Sequence, residues 1–316
     1  MKLVYLGTPE AAVAPLRALV SAGHEVLLVV SNPDRRRGRG AQLVASPVKA
    51  AALELDLPVT DEVDDIHAAV AKGAELGVVV AYGRLIRKPL LSVLPFVNLH
   101  FSLLPRWRGA APMERALLAG DSETGVCLMA LEEGLDTGGV YRRVTTPIIA
   151  TETGASLRSR LVGIGTELLL AALDGASSVA DLGAAEPQTG EVTWAAKIDS
   201  AERELDFSQP ADTLNRWIRL GGAFSTLRGK RLKILAAQVL HPDGESEVEH
   251  GQRELPGSLD ALDVVCGRGR LRLQKVQPEG KAAMDALSWR NGIQIQHGEV
   301  LGRSASAISA EGHQRL

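Results

Sequence analysis

The 316-residue sequence is poor in cysteine, with Cys127 and Cys266 as its only thiols. Two cysteines exclude a disulfide scaffold and a cysteine-rich metal site. No apolar run approaches the ~18 residues that a membrane-spanning helix needs. No cleavable signal or Arg- and Ser-rich transit segment precedes the first apolar run, at residues 3–6. We therefore expect a protein of the reducing cytoplasm that does not contact a membrane.

Aromatic residues are also scarce, at 3% of the chain, and the formal net charge is only −3. Residues 206–316 hold 15 basic and 13 acidic residues, whereas residues 1–205 hold 20 and 25. This mild asymmetry permits contact with a polyanion but does not demand it. The remaining composition is that of an ordinary globular protein, with 45% hydrophobic and 23% charged residues. This composition argues against disorder, and the length suggests two domains with sizeable cores.

Short apolar runs alternate with helical patterns through the first half of the chain. The apolar runs predict buried strands at residues 3–6, 26–30, 76–81, 96–99, 125–131 and 140–149. Apolar residues at helical spacing predict helices at residues 10–22, 47–55, 63–72, 109–119 and 156–173. Strands that alternate with helices indicate right-handed βαβ units. We therefore expect an α/β domain with a mostly parallel sheet.

The pattern changes after about residue 174. Residues 175–205 have no clear period and indicate a connector, with a short strand near residues 192–196. After a predicted helix at 211–220, short strands separated by turns are expected at residues 230–239, 262–266, 271–276 and 293–295. This spacing is typical of a small β-barrel.

The first strand–helix turn reads Gly7-Thr8-Pro9-Glu10. A dinucleotide-binding fold needs G-x-G-x-x-G here, so that the backbone can approach a pyrophosphate. A single glycine followed by proline, which removes a hydrogen-bond donor, does not meet that need. The turn therefore gives no support to an NAD site and is equally typical of a plain strand–helix connection.

Arginines are concentrated in one Gly-flanked loop after the second predicted strand, at Arg35, Arg36, Arg37 and Arg39. Guanidinium groups this close repel one another when they are unpaired. A phosphate-rich partner would relieve the repulsion and accept their forked donors. A solvated basic loop is the alternative interpretation of the same pattern.

The richest set of chemical groups follows the fourth predicted strand. Asn98 and His100 alternate with Leu99, so both side chains face one side of the sheet near its carboxyl edge, where open α/β sheets bind ligands. An amide donor and an imidazole at this spacing suit oxyanion binding and proton transfer. Asp136, in a glycine-rich turn, would orient the imidazole if the two meet. A hydrogen-bonded histidine at a strand end and a turn-forming aspartate are the structural alternatives.

The sequence gives no sign of a metal or of a covalent intermediate. The histidines form no ligand spacing such as H-E-x-x-H, and no G-x-S-x-G elbow occurs. Neither cysteine lies next to a histidine in the chain. We therefore expect chemistry without a metal ion and without an acyl-enzyme.

The Asn98, His100 and Asp136 set, together with the turn Ser102-Leu103-Leu104-Pro105, resembles the folate-dependent formyltransferases. Within that group, the chain resembles the methionyl-tRNA formyltransferase family at residues 7–9, 33–35, 38–40, 46–49, 80–83, 104–112, 226–230 and 277–281. These segments are spread over nearly the whole chain, so the resemblance covers both predicted domains.

The resemblance implies a Rossmann-like formyltransferase domain at residues 1–186, a linker at 187–205, a C-terminal OB-type β-barrel that helps to hold tRNA at 206–303, and a frayed tail at 304–316. It also implies that a formyl group moves from 10-formyltetrahydrofolate to the α-amine of methionyl-initiator tRNA, for translation initiation. No metal is implied, and we expect a cytoplasmic monomer.

Site residues follow from the same resemblance. The catalytic set would be Asn98, His100 and Asp136. The folate site would be bordered by Ser102, Leu103, Leu104 and Pro105. The tRNA acceptor end would be contacted first by Arg39 and then by Arg35, Arg36 and Arg37. Many relatives carry basic residues directly after Gly40, whereas this chain has Ala41 and Gln42.

Two other functions remain open at this point. A folate-dependent formyltransferase for a small amine, such as a glycinamide nucleotide or an amino sugar, would use a similar N-terminal domain; the basic loop and the predicted barrel argue against it. A non-catalytic RNA-binding module would need the basic loop and the barrel but not the complete set of Asn98, His100 and Asp136.

Overall fold

The computed structural model describes residues 1–37, 42–240, 254–296 and 298–302. The chain forms two compact units, which meet along the sequence at Lys197 and Ile198. Residues 117–120 and 151–155 group with the second unit. The junction falls inside the segment predicted as a linker, 187–205. The domain boundaries drawn at 186 and 206 stay predictions, and the tail at 304–316 lies outside the described residues.

The first unit is built on a seven-stranded sheet, accompanied by two short strand pairs. In chain order, its strands are β1 (Lys2–Gly7), β2 (Glu25–Val30), β3 (Arg35–Arg37), β4 (Gln42–Val44), β5 (Val59–Thr60), β6 (Leu76–Val80), β7 (Phe96–His100), β8 (Arg108–Gly109), β9 (Glu123–Ala130), β10 (Val140–Pro147) and β11 (Trp194–Ala195). The helices of this part of the chain are α1 (Val13–Ser21), α2 (Pro47–Glu54), α3 (Ile66–Ala71), α4 (Lys88–Leu91), α5 (Pro112–Ala119) and α6 (Gly154–Leu173).

The strand order of the large sheet is β10-β9-β7-β6-β1-β2-β5. The strands from β7 to β5 in that order pair in parallel. Strand β9 runs antiparallel to β7, and β10 antiparallel to β9. The prediction of an α/β fold with a mostly parallel sheet is therefore confirmed. Strands β6 and β7 are buried at every position, as expected for parallel strands that are covered on both faces.

The core on one side of this sheet joins strands to helices through apolar contacts. Val4 and Leu6 of β1 and Phe96 of β7 lie in one buried cluster with Ile66 of α3 and Leu90 of α4. The predicted helix at 109–119 begins later than expected, at Pro112, because the preceding residues pair with a distant segment as β8. This packing holds the carboxyl ends of the strands, where the candidate site lies, on a rigid frame.

The arginine-rich segment is not a plain loop, as the sequence suggested. Residues Arg35–Arg37 form β3, which pairs antiparallel with β4. Arg35 and Arg36 are exposed. Arg39 lies outside the described residues, as does the side chain of Arg37. Cross-strand backbone hydrogen bonds thus hold a segment whose charges gave no sign of a strand.

The second unit contains an antiparallel sheet. In chain order, its strands are β12 (Phe224–Leu227), β13 (Lys230–Leu240), β14 (Leu259–Asp260), β15 (Asp263–Val265), β16 (Arg270–Pro278) and β17 (Met284–Asp285). Its helices are α7 (Ala211–Leu220) and α8 (Ala286–Ile293). The order is β12-β13-β16-β15-β14, with β17 on β16. The prediction of a small β domain after the α/β domain is confirmed.

A short segment connects the two edges of this second sheet. The amide of Leu301 donates to the carbonyl of Gly257 at 2.8 Å, beside β14. The amide of Gly302 donates to the carbonyl of Thr226 in β12 at 2.9 Å. Both edge strands thus find partners in one segment, as the closure of a barrel requires.

The predicted strand at 293–295 is wrong, because Ile293 is the last residue of α8 and Gln294 has a left-handed backbone. The carboxylate of Asp285 caps this helix by accepting from the amide of Leu287 at 3.1 Å. Among the described residues, no helix is long and apolar enough to cross a membrane.

Candidate active site

The candidate site begins on β7, which pairs with parallel β6 on one side and antiparallel β9 on the other. Asn98 and His100 occupy alternate positions of β7, so their side chains lie on one face. They are 9% and 5% exposed. An amide and an imidazole are therefore held, nearly buried, at the carboxyl edge of the parallel strands, as the sequence predicted.

The ring of His100 lies between two oxygen atoms of the protein. Its Nε2 atom is 2.8 Å from the carbonyl oxygen of Trp107. A carbonyl oxygen only accepts, so Nε2 carries the proton of this bond. The Nδ1 atom lies 3.6 Å from Oδ2 of Asp136. The structure thus brings His100 and Asp136 together in a buried place, and a protonated ring would have an acceptor on each side.

Asp136 is held in an uncommon backbone conformation, with φ at 52°. Left-handed backbone at a residue other than glycine costs on the order of 1–3 kcal/mol and persists where the surroundings enforce it. The amide of Gly109 donates to Oδ2 of Asp136 at 2.8 Å. The side-chain amide of Gln188 donates to the Asp136 carbonyl, also at 2.8 Å. Side chain and backbone of Asp136 are therefore both fixed from outside its own turn.

Asn98 differs from its neighbours in its contacts. Across the part of the chain that the structure describes, its side-chain amide makes no hydrogen bond. It sits opposite Met129 of β9 in the strand register and two positions before His100. A nearly buried amide with its donors uncommitted suits an oxygen atom that comes from a substrate.

The turn after β7 is closed by its own hydrogen bonds. The hydroxyl of Ser102 donates to the carbonyl of Arg106 at 2.6 Å, and the amide of Arg106 donates to the carbonyl of Leu103 at 3.1 Å. Leu104 and Pro105 are buried and are joined by a cis peptide bond. The turn forms a firm wall, of which Leu103 is the partly exposed member.

Trp107 has the backbone carbonyl that faces His100, and several contacts fix its position. Its φ is 65°, which is an outlier for a bulky residue. Its amide donates to Oγ1 of Thr193 at 2.8 Å, and its indole Nε1 donates to Asp121 at 2.8 Å. Arg106 lies over the indole ring at 4.5 Å and forms an ion pair with Asp121, which raises the pKa of the Arg106 side chain.

An open pocket of about 300 Å³ lies beside this turn, between the Leu103 and Trp107 side chains and the start of β9. Thr124 also lines it and is 3% exposed. Within the described residues, the Thr124 hydroxyl has no hydrogen-bond partner. The pocket is thus lined by the apolar Leu103 and Trp107 side chains on one side and by polar and charged residues at the start of β9 on the other.

The segment from residue 186 to 195 supports both loops of the site, although the sequence indicated only a connector there. Val140 and Glu186 exchange backbone hydrogen bonds at 2.8 and 3.0 Å. Strand β11 pairs in parallel with β8. Sequence reasoning missed Gln188 and Thr193, and no local signal marks them, because their partners lie 52 and 86 residues away in the chain.

Gly109 is needed where β8 and β11 pair. Its φ is 122°, and a Cβ atom at this position would lie 2.8 Å from the carbonyl oxygen of Ala195. Both the backbone conformation and the close approach therefore require a residue without a side chain.

We expect Gly109→Ala to lower the free energy of unfolding by about 1–3 kcal/mol, because it strains φ and pushes β8 away from β11. Denaturant unfolding of the whole chain measures this change. Gly163→Ala is the matched control, because Gly163 lies in α6 with no atom within 4 Å of the added methyl group. The control should be neutral or stabilising by up to about 1 kcal/mol. Equal effects of the two substitutions would contradict the role of Gly109.

Cys127 lies directly opposite His100 in the register of β7 and β9, a proximity that the sequence did not reveal. Burial raises the pKa of its thiol. Since the thiolate and not the thiol is the nucleophile, this environment suits a structural cysteine. Among the described residues, no three His, Cys, Asp or Glu side chains group as a metal site would require.

The ends of three parallel strands are joined beside the basic hairpin. The side-chain amide of Asn32, after β2, donates to the hydroxyl of Thr8 at 3.0 Å and to the carbonyl of Tyr82 at 2.9 Å. The Lys49 ammonium group of α2 binds the Asp34 carboxylate at 2.9 Å. Apart from Asn32, these contacts come from residues in segments 7–9, 33–35, 46–49 and 80–83, which carry part of the family resemblance. They anchor β3 and its arginines at the carboxyl edge of the sheet.

Two family models match the chain in order. The one described as formyl transferase matches residues 1–173, and the one described as formyl transferase, C-terminal domain, matches residues 197–294. Among solved structures, HypX from Aquifex aeolicus in complex with tetrahydrofolic acid aligns over 94% of this chain and 48% of its own, with TM-score 0.61 and 18% identity. A methionyl-tRNA formyltransferase from Clostridium thermocellum aligns over 75% and 93%, with TM-score 0.52 and 15% identity. At such identities these structures support the fold.

Sequence relatives are much closer. A methionyl-tRNA formyltransferase from Methylococcus capsulatus is 43% identical over 306 residues, which cover 92% of this chain and 96% of the relative. A methionyl-tRNA formyltransferase from Roseobacter denitrificans is 43% identical over 316 residues, which cover 95% and 98%. Because identity at this level extends over both units, the chain belongs to the methionyl-tRNA formyltransferase family.

Proposed function

We propose that the protein transfers the formyl group of 10-formyltetrahydrofolate to the α-amine of methionyl-initiator tRNA, which gives formylmethionyl-tRNA for translation initiation. The observation that carries the proposal is the pairing of His100 with Asp136 at 3.6 Å, beside the uncommitted amide of Asn98. The names of the close relatives support the choice of substrate. Their coverage of both units supports an enzyme with the same two parts.

Asn98 is assigned to the formyl oxygen. When the neutral amine attacks the formyl carbon, negative charge collects on that oxygen, and the Asn98 amide donates a hydrogen bond to it. One such donor is typically worth about 2.7–4 kcal/mol of the barrier. The new carbon–nitrogen bond forms at the amine, and the bond to the folate nitrogen breaks. Holding both reactants in one place supplies much of the remaining acceleration.

His100 is assigned to the proton that leaves the amine and must reach the folate nitrogen. In the reacting form the ring proton lies on Nδ1, which faces Asp136, so that Nε2 leaves the Trp107 carbonyl, accepts the proton of the amine and passes it to the folate nitrogen. Asp136 stabilises the ring while it carries positive charge. Proton transfer by a positioned side chain typically contributes about 10²–10⁴-fold.

The turn and pocket after β7 suit a flat, partly polar ligand such as the folate ring system. Ser102, Leu104 and Pro105 shape the wall, and Leu103 lines the pocket with Trp107. We keep these residues as the border of the folate site.

The acceptor tRNA is assigned to the basic hairpin and to the second unit. Arg35 and Arg36 are exposed on β3 at the same edge of the sheet as Asn98. Guanidinium groups there suit the phosphates of an acceptor stem, and Arg37 and Arg39 belong to the same proposed contact. We propose that one copy of the chain is sufficient for this contact.

A substrate comparison tests the proposed function. Purified full-length protein is given 10-formyltetrahydrofolate alone, with charged initiator tRNA, with a glycinamide nucleotide, or with an amino sugar nucleotide. We expect the formyl donor to be consumed, and formylmethionine to appear, only with the charged tRNA. Faster consumption of the formyl donor with a small amine would identify that amine, and not the tRNA, as the acceptor. Binding of tRNA with no consumption would favour an RNA-binding module.

Removing positive charge from β3 should weaken the use of tRNA without affecting folate. For the double variant Arg35→Ala and Arg36→Ala, we expect KM for tRNA to rise about tenfold at moderate salt, and the salt slope of binding to fall by about one per phosphate contact that is lost. The KM for the folate donor should not change. The matched control is Arg17→Ala with Lys72→Ala, two exposed charges in α1 and at the end of α3. If the control weakens tRNA use equally, the effect is one of net charge alone.

A further inference from the structure

Gln188 is the residue that joins the two loops of the site. It lies between α6 and β11 and is half-buried. Its Nε2 donates to the carbonyl oxygens of Asp136 and Gly138, at 2.8 Å each. Its Oε1 accepts from Nε and Nη2 of Arg108, at 3.0 and 2.7 Å. Both donors and both acceptor positions of one side-chain amide are therefore used.

Two of the bonds of Gln188 reach backbone carbonyls of the Asp136 loop, and the other two hold the side chain of Arg108 in the loop that contacts His100. Arg108 lies between Trp107, whose carbonyl accepts from His100, and Gly109, whose amide donates to the Asp136 carboxylate. On its other side, Gln188 fixes the carbonyl of Asp136 itself, whose φ is 52°. A displacement of either loop relative to the other would change the distance between the imidazole and the carboxylate.

We propose that Gln188 is a positioning residue for the formyl transfer, which acts through Asp136 and the Trp107–Gly109 loop and touches no substrate. The inference rests on the proposed function, since positioning is measured by the reaction. It assigns a role to the segment before β11, which the sequence indicated only as a connector. The role requires an amide, because the site needs donors toward two carbonyl oxygens and an acceptor toward one guanidinium group.

Two substitutions separate the donor side of this amide from its acceptor side. Gln188→Glu keeps an acceptor for Arg108 but turns carboxylate oxygens toward the carbonyls of Asp136 and Gly138. Gln188→Ala removes all four bonds. If the donors toward the Asp136 loop matter, both variants lose activity. If only the contact with Arg108 mattered, Gln188→Glu would behave like the natural protein. Should Gln188→Glu fail to fold, Gln188→Ala still tests whether the side chain positions the site at all.

We expect either variant to lower kcat by about 10- to 100-fold, because a displacement of about 1 Å in a catalytic arrangement can cost about 10²-fold. KM for both substrates should stay within about twofold, because Gln188 contacts neither of them. In the Asp136→Asn background, Gln188→Glu should lower kcat by less than about twofold further, because the two residues act as one unit. A full multiplicative loss in that background would overturn the proposal. The control is Ser92→Glu in the first unit, an exposed residue whose hydroxyl donates to the carbonyl of Pro89.

A spectroscopic measurement tests the positioning independently of the substrate. In ¹⁵N-labelled protein, the Nε2 proton of His100, assigned by its loss in His100→Gln, should exchange slowly because it is buried and bonded to Trp107. We expect this signal to broaden or exchange faster in both Gln188 variants and to be unchanged in Ser92→Glu. An unchanged signal would overturn the positioning role. Failure to use charged tRNA, with the expected change in the signal, would overturn the proposed function and leave the positioning role intact.

Discussion

Asn98→Ala lowers kcat about 10²–10³-fold at saturating substrates, with a small change in KM, because the lost hydrogen bond is one that strengthens as charge develops on the formyl oxygen. A hydrogen bond of equal strength to the bound substrate and to the transition state would raise KM and leave kcat unchanged. The measurement is steady-state formylation of methionyl-initiator tRNA at saturating concentrations of both substrates.

The contacts of Asn98 allow the effect of this substitution on turnover to be separated from its effect on stability. Among the described residues, its amide has no protein partner, so truncation leaves no buried group without a hydrogen bond. We therefore expect the free energy of unfolding to change by less than about 1 kcal/mol. The loss of turnover can then be assigned to the reaction and not to the fold.

Two further variants control the Asn98 result. Asn98→Asp keeps the shape but replaces a donor by an anion, and it should be at least as damaging as alanine, because like charges repel in the transition state. Asn291→Ala, at an exposed position of α8, should leave turnover unchanged. Normal turnover of Asn98→Ala would remove Asn98 from the oxyanion role.

The parallel core and the polar residues of β7 could be predicted because their signals are local. Strands β6 and β7 are buried on both faces, so they appear in the sequence as short apolar runs. Alternation along β7 then places Asn98 and His100 on one face without further information. The pairing of His100 with Asp136 needed the resemblance as well, because no local pattern links a strand residue to a residue of a distant turn.

The elements that were missed or misassigned depend on distant partners or on capping. Charge alone does not show that Arg35–Arg37 pair with another strand. Ile293 looked like part of a strand, although the cap at Asp285 starts a helix that includes it. Gln188 lies in a connector that shows no helical or strand periodicity. Its role depends on contacts with Arg108 and Asp136, which only the folded chain places beside it. Such roles come from the assembled fold.

Asp136→Asn separates the charge of the aspartate from its shape. One atom, Oδ2, both accepts from the Gly109 amide at 2.8 Å and faces Nδ1 of His100 at 3.6 Å. In the variant, the Gly109 amide selects the orientation that keeps an oxygen at this place. The backbone bond therefore survives, and the negative charge opposite the imidazole disappears. We expect kcat to fall about 10²-fold or more, because the ring no longer has a counter-charge while it carries the proton.

His100→Ala should have the largest effect, about 10²–10⁴-fold on kcat, because it removes the group that carries the proton. It should also cost stability, since the Trp107 carbonyl loses its donor in a buried place. In the His100→Ala background, Asp136→Asn should add less than about threefold, because the carboxylate acts through the imidazole. The kinetics of the two single variants and the double variant measure this coupling. Independent, multiplicative losses would mean that Asp136 contacts the substrate itself, and the assigned order of carboxylate, imidazole and folate nitrogen would be wrong.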